Sequence, residues 1–527
     1  MLSGSQVVGL ALVVGTVSSG AQNAPAPKPP AALTIASATR SAVALTWTPG
    51  DATPAKFIVE RKAFGTGWPA GTNPSAPRDP KAPPTPSTIA TVQTASATDS
   101  AIDAYATYVY RVRALGPDDV PSAPSNEVTA GPPPVGLSTV LAAPKDLQAH
   151  DPTQFANQIR MVFDANDDPA LAYVTYDVNN DGDPSDTELS FISWNRARYR
   201  WNAPVHVDTV GDVTKSGSRP PFSIALDPSN NRFGLLYVVG EHEIRLAMSD
   251  DAGARWKAVP IQKTLTEEGT LATPSLALAG GVVHAAYYLG QVGVRYRTGL
   301  ASDAPDKWSG STAPLLPGTT EARSEGVTVA LDAGGKPAVV YWLNPSDGYT
   351  LTMAFWRPGG TATKVTDTAG HQTDDPALHM VVSGATIAIG LYANRDDQFF
   401  SSHQIWFVRS TDNGASWSPA VAVADDGGSE MRSPVTVSVG RTGQVAMAAE
   451  MSGGDGVGTK CGLPKLMRSP DGMKWTTCAP DTKGAPLASD VTYPVIAFAG
   501  NDKLYIAFKT RGTAPGLGPG LSLWRER

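Results

Sequence analysis

The most specific chemical signal in the chain is a run of short oxygen-bearing side chains, Asp177, Asn179, Asp181 and Asp183, followed by Glu188. Alternating Asp and Asn residues wrap a hard cation, Gly182 permits the sharp turn between them, and a glutamate after five further residues closes the shell with two oxygens. These five residues are the expected ligands of a structural Ca2+ ion; a solvated acidic loop is the competing reading. No helical pattern flanks the run, so the spacing predicts a loop set in a β-hairpin, with Pro184 where a small apolar residue is usual. A second constellation is Arg219, Arg323 and Arg432, separated by 104 and 109 residues, each just ahead of an apolar stretch. A planar guanidinium binds a carboxylate through two parallel hydrogen bonds. Three at near-equal spacing are either a carboxylate clamp or three anchors that pair with carbonyls and acids of neighbouring elements. The seven histidines show no His-Glu-x-x-His spacing, and no Gly-x-Ser-x-Gly elbow or phosphate-cradling glycine loop follows a strand.

The elements that must position these groups announce themselves in a repeated box, Ser-x-Asp-x-Gly-x-x-Trp. It stands complete at Ser249, Asp251, Gly253 and Trp256 and again at Ser410, Asp412, Gly414 and Trp417; a copy one residue shorter holds Ser469, Asp471, Gly472 and Trp475. Each reads as a tight hairpin turn: the carboxylate accepts from turn amides, the glycine supplies a left-handed position, and the tryptophan starts the return strand and packs inward. The return-strand tryptophans Trp201, Trp256, Trp308, Trp417 and Trp475 are 55, 52, 109 and 58 residues apart. The long gap spans two repeats, with Arg357-Pro-Gly-Gly360 in place of a decayed box.

Seven pairs of apolar strands precede the turns: 159–164 with 170–176, 222–227 with 234–239, 274–278 with 282–288, 327–332 with 337–342, 377–382 with 386–392, 434–439 with 444–450, and 493–499 with 503–509. The last unit supplies only three strands, and residues 138–147 are expected to close it. If the boxes join third and fourth strands, the innermost strands start on the opposite face, which the second-to-third-strand loops share. A ligand would bind there, and Tyr349, Phe399 and Phe400 are aromatics of those loops that suit either sugar stacking or packing of the loops themselves.

Composition agrees with an all-β chain: 527 residues, 41% apolar and 17% charged, with 51 glycines and 45 prolines, mean many turns and few long amphipathic helices. A net charge of −7 without basic clusters excludes a nucleic-acid footprint. The apolar run 7–17, followed by small residues up to Ala21, reads as a signal peptide over 1–21 despite the missing basic flank; it is too short to span a bilayer, so no transmembrane segment is expected in the mature chain. Residues 22–30 form a Pro-rich leader and 131–136 a Pro-rich linker, which separates a segment over 31–130 from the repeats over 137–527. The chain is thus expected to be secreted, periplasmic or at the cell surface. Cys461 and Cys478 flank the third box, where a hairpin would bring them into range of a disulfide; two buried thiols are the alternative.

The boxes and their period resemble the Asp-box (BNR) repeats of sialidase-like β-propellers. The segment over 31–130 resembles a fibronectin type III β-sandwich through Trp47, the Tyr108-x-Tyr110-Arg-Val112-x-Ala114 strand and Ser122–Glu127, with Tyr108 as its tyrosine corner and 69–87 as a Pro-rich insertion. The resemblance implies a seven-bladed propeller, six being the alternative. It further implies that Arg219, Arg323 and Arg432 hold a sugar acid's carboxylate, with Tyr493 as nucleophile and Glu430 its partner. The chain departs from that family where Arg-Ile-Pro is usual, reading Asn157-Gln-Ile-Arg160-Met-Val instead, and neither Asp208 nor Asp212 is singled out as the acid. The expectation is therefore an exported Asp-box propeller that binds a glycan or an extracellular protein. The alternative is a divergent sialidase-like glycoside hydrolase acting on acidic-sugar glycosides, which leaves open whether the chain is an enzyme.

Overall fold

A computed structural model describes residues 26–50, 56–68, 87–116, 119–143, 157–176, 186–211, 221–240, 242–264, 271–346, 351–367, 378–394, 403–425, 435–449, 465–477, 491–510 and 518–527. The chain divides into two compact units, Met1–Ile102 with Tyr108–Ala130, and Asp103–Thr107 with Gly131–Arg527. Among the described residues both are all-β; the helical turns present, Gly290–Val292 and Pro305–Lys307, are single 3-10 turns. No helix among them is long and apolar enough to cross a membrane.

The first unit holds a three-stranded and a four-stranded antiparallel sheet. Alternation explains its core: Val43, Leu45 and Trp47 point inward from Val43–Thr48, and Phe57 and Val59 from Lys56–Ala63. Trp47 meets Phe57 edge-on at 5.3 Å. Tyr110 is fully buried and its hydroxyl donates to Asp99 (3.0 Å), whereas Tyr108 is half-buried with the Arg61 guanidinium 4.7 Å above its ring.

In the second unit the described strands form successive antiparallel meanders in chain order, whose first strands are Asn157–Phe163, Phe222–Asp227, Leu271–Ala279, Thr319–Leu331, Leu378–Ser383, Thr436–Val439 and Val491–Phe498. We refer to these as the first to seventh sheets. Each first strand touches the first strand of the next sheet, and that of the seventh touches that of the first. The last sheet ends with Gly520–Arg525 pairing antiparallel to Gly136–Ala142, so the chain's own earlier segment supplies the fourth strand.

Two-residue periodicity explains why the sheets stack. On Pro169–Thr175, Ala170, Ala172 and Val174 enter a core shared with the second sheet, while Leu171 and Tyr173 enter one shared with the seventh. Pro337–Pro345 repeats this: Val339, Tyr341 and Leu343 face the third sheet, and Ala338, Val340 and Trp342 face the fifth. These two second strands are therefore apolar on both faces, and such burial is the main stabilising term, at about 25 cal/mol per Å2 of apolar surface.

Candidate functional site

The box turns form as their residue types require. At the first, Ser249 Oγ donates to Asp251 (3.0 Å) and accepts from the Gly253 amide (2.9 Å), while Asp251 Oδ1 accepts from the Arg255 amide (2.8 Å). The second repeats these bonds with Ser410, Asp412, Gly414 and Ser416 at 2.7, 2.8 and 2.9 Å. In the short third copy Asp471 accepts from the Met473 and Lys474 amides (2.8 and 3.0 Å). Bonding to Arg255 first, then to the amide, holds the Asp251 carboxyl down to about 2; bonds from Ser416 do the same for Asp412. Each tryptophan Nε1 donates to a glycine carbonyl where the turn holds Gly253 or Gly472, both at 3.1 Å. The three rings then pack edge-on against a phenylalanine of the preceding sheet: Trp256 on Phe191, Trp417 on Phe355 and Trp475 on Phe407, at 5.1, 5.3 and 5.0 Å. The box is an inter-sheet staple. Where it has decayed, in the fourth sheet, Trp356 Nε1 donates to the Gly360 carbonyl (3.1 Å) and its ring packs edge-on against Tyr296 of the third sheet (6.1 Å), while Arg357 reaches forward to Asn413 Oδ1 of the next box (2.7 Å) and to Asp332 (3.2 Å).

These bonds also orient the faces. Asn413, inside the second box, donates through Nδ2 to Asp332 (3.2 Å) and through its amide to the Ala385 carbonyl (2.9 Å), both in turns that join a first to a second strand. Boxes and first turns thus share one face, and the innermost strands start on the other.

At that opposite end the innermost strands slip register at corresponding places, between the partners of Ala172 and Val174, between Ala272 and Ser275, between Ala322 and Val327, and between Thr492 and Val495. Three bulges hold a left-handed residue that is not glycine: Gln158 (φ 55°), Thr273 (φ 44°) and Tyr493 (φ 51°). Such conformations cost about 1–3 kcal/mol each and persist where the surroundings impose them, typically at ligand-facing positions. Pro274 and Pro494 follow two of them, adding a locked φ and removing an amide donor. Tyr493 packs partly buried against the core between the seventh and first sheets, with the Lys509 ammonium 5.9 Å from its ring centre. Arg323 sits half-buried at the start of the bulge of the fourth sheet, on the same face as Tyr493.

Arg219, Arg432, Glu430, Cys461, Cys478 and the proposed metal ligands Asp177, Asn179, Asp181 and Asp183 lie outside the described residues. Glu188 is described: it opens the third strand of the first sheet, more than a third exposed, 3.7 Å from His206 Nδ1. Asp208 has a structural assignment, accepting from the Tyr237 hydroxyl (2.6 Å) and the Arg245 guanidinium (2.8 Å) and so tying the outer strand of the first sheet to the second.

The innermost strands enclose a channel of about 270 Å3 along the ring axis. One polar residue stands between two apolar ones in each of the first six sheets: Arg160, Ser223, Ser275, Thr328, His379 and Thr436. Three of these accept an amide of the neighbouring innermost strand: Ser223 Oγ from Leu276 (3.2 Å), Ser275 Oγ from Val329 (2.9 Å) and His379 Nδ1 from Val437 (3.1 Å); Ser438, two residues beyond Thr436, accepts likewise from Phe498 (3.0 Å). These side chains satisfy edge-strand donors that have no ladder partner. Sequence reasoning missed Arg160 and His379. Their signal was the single polar residue interrupting each apolar innermost strand, which is visible only once the strands are aligned.

Among known proteins, no protein-family model matches the chain and no curated protein matches it. Solved structures with some likeness include a Penicillium chrysogenum alpha-L-arabinanase complexed with arabinobiose (13% identity, 74% of this chain and 97% of that one, TM-score 0.39). Others are an arginine-substituted variant of AofleA from Arthrobotrys oligospora (10%, 65% and 88%, TM-score 0.39) and the SapL1 lectin in complex with alpha methyl fucoside (13%, 62% and 97%, TM-score 0.37). With TM-scores below 0.5, these likenesses assign no activity to this chain.

Proposed function

We propose that residues 137–527 form a seven-bladed Asp-box β-propeller in an exported binding protein, which takes a glycan or an extracellular protein on the face where the innermost strands start. Residues 31–130 serve as a fibronectin type III-like spacer behind a cleaved 1–21 signal. The observation that carries this reading is the set of bulged, left-handed strand starts at Gln158, Thr273 and Tyr493, with Arg323 on a fourth bulge of the same face. Strain repeated at corresponding places, away from the stapling boxes, is the mark of a surface shaped for a ligand. In this reading Arg323, with Arg219 and Arg432, clamps a ligand carboxylate, Asp177–Glu188 holds Ca2+ to order its loop, and Cys461 and Cys478 are bridged.

A second reading, a sialidase-like hydrolase, draws on the strained backbone of Tyr493 as a nucleophile held for attack. Binding is preferred because Asp208, a candidate acid, is already engaged by Tyr237 and Arg245. One experiment separates the two. The secreted chain is tested on a glycan array that includes sialylated glycans, and with a fluorogenic sialoside. Binding weakened at least tenfold by Arg323→Ala, unchanged by Asp412→Ala on the other face, and unaccompanied by fluorophore release supports the binding reading. Turnover abolished by Tyr493→Phe replaces it with the hydrolase, and equal affinity of the wild type and Arg323→Ala removes Arg323 from the site.

A further inference from the structure

Among the described residues lining the axial channel, none is acidic, yet one is an arginine. Arg160 donates from Nη1 to its neighbour's carbonyl, Ile159 O (2.8 Å), and lies 5.9 Å from the centre of the Phe222 ring; no described carboxylate pairs with it. A guanidinium carries five N–H donors, so most of its hydrogen-bonding capacity is directed elsewhere. Arg160 is half-buried and its remaining N–H groups open onto the channel, where an anion would offset the charge's partial loss of water.

The rest of the lining supplies the matching donors. Ser223, Ser275 and Ser438 each use an oxygen lone pair to accept a backbone amide, which leaves the hydroxyl proton available to a second group. His379 accepts at Nδ1, so its proton is on Nε2 and the ring enters the site as a neutral N–H donor. Burial, then the charge of Arg160, pushes His379 down to about 4, in accord with that tautomer, and burial pushes Arg160 down to about 10, so that it remains charged at neutral pH. Arg160 and His379 are the two titratable groups that line the cavity.

We propose that the axial channel is an anion site, in which a small monoanion, a halide or a short carboxylate, sits against the Arg160 guanidinium and accepts from hydroxyls of the innermost strands. The cavity of about 270 Å3 admits such an ion together with water. An ion there ties the starting sheet of the ring to its neighbours at the axis. Arg323 and Tyr493 take no part, so this proposal and the ligand-face reading fail separately.

The test is thermal unfolding of the full chain at constant ionic strength while bromide or acetate replaces a bulky morpholinoethanesulfonate anion. An anion bound by the folded state raises the wild-type Tm by about 2 °C between 1 and 100 mM, and Arg160→Met removes the rise. Equal rises in both proteins, or none in the wild type, overturn the proposal. Should Arg160→Met not fold, crystals of the wild type grown in sodium bromide decide: an anomalous peak in the channel is expected, and a channel without one overturns it.

Discussion

Replacing the box glycines with alanine tests the staple directly. At Gly253 (φ 89°) an added Cβ would stand 1.9 Å from Phe191 Cε1, and that ring is held by Phe233 and Trp256, each 5.1 Å away. At Gly414 (φ 90°) the nearest atoms of Phe355 would be 2.6 Å away, and at Gly472 (φ 74°) Phe407 would be at 2.9 Å. Gly384 (φ 62°) has the same backbone requirement with nothing within 4 Å of the added atom. The left-handed conformation costs an alanine about 1–2 kcal/mol at any of these positions, partly offset by about 0.4–1 kcal/mol of lost unfolded-chain entropy. Only the box positions add overpacking, about 1–3 kcal/mol in a well-filled core. Gly253→Ala is therefore expected to destabilise by about 1–3 kcal/mol more than Gly384→Ala, with Gly414→Ala next and Gly472→Ala least of the three. Urea unfolding followed by tryptophan fluorescence and far-UV circular dichroism measures the series. Gly253→Ala no worse than Gly384→Ala would refute the claim that the box turn is pressed onto the preceding sheet.

Three further outcomes are expected. Asp181→Ala is expected to abolish calcium heats in titration calorimetry; equal heats from the two proteins end the assignment of Asp177–Glu188 as a metal loop. Cys461 and Cys478 are expected to be bridged, a closure that stabilises by about 3 kcal/mol in the chain-entropy model; two free thiols by mass spectrometry under non-reducing conditions refute it. His379 has a folded pKa of about 4 against an ordinary 6.5, so the unfolded chain takes up its proton first as pH falls. Stability is lost between pH 6.5 and 4, by about 2–3 kcal/mol, and His379→Asn, whose Oδ1 stands where Nδ1 accepts the Val437 amide, should flatten that part of the profile relative to the wild type. Identical profiles would show that the ring is not held neutral by its surroundings.

How much was legible in the chain differs from element to element. Turn chemistry is local, so Ser249, Asp251 and Gly253 reveal their hairpin from side-chain type alone, and the bonds found are those the residues require. Strand pairs are nearly as legible: Phe222–Asp227 is found with the limits that alternation predicts. Closure by an earlier strand was foreseen as 138–147 and is met by Gly136–Ala142, because a three-stranded last unit leaves an unpaired edge to cover. The partner of each box tryptophan was not legible, since Phe191 and Trp256 are 65 residues apart in the chain and meet only through the stacking of successive sheets. Nor was the axis. Arg160 looks like an unremarkable polar residue in an apolar strand, and only closure of the ring faces it with His379 from the fifth sheet. Local hydrogen-bonding geometry is encoded within a few residues, whereas the neighbours of a side chain on an innermost strand are set by how many sheets the ring must hold before it closes.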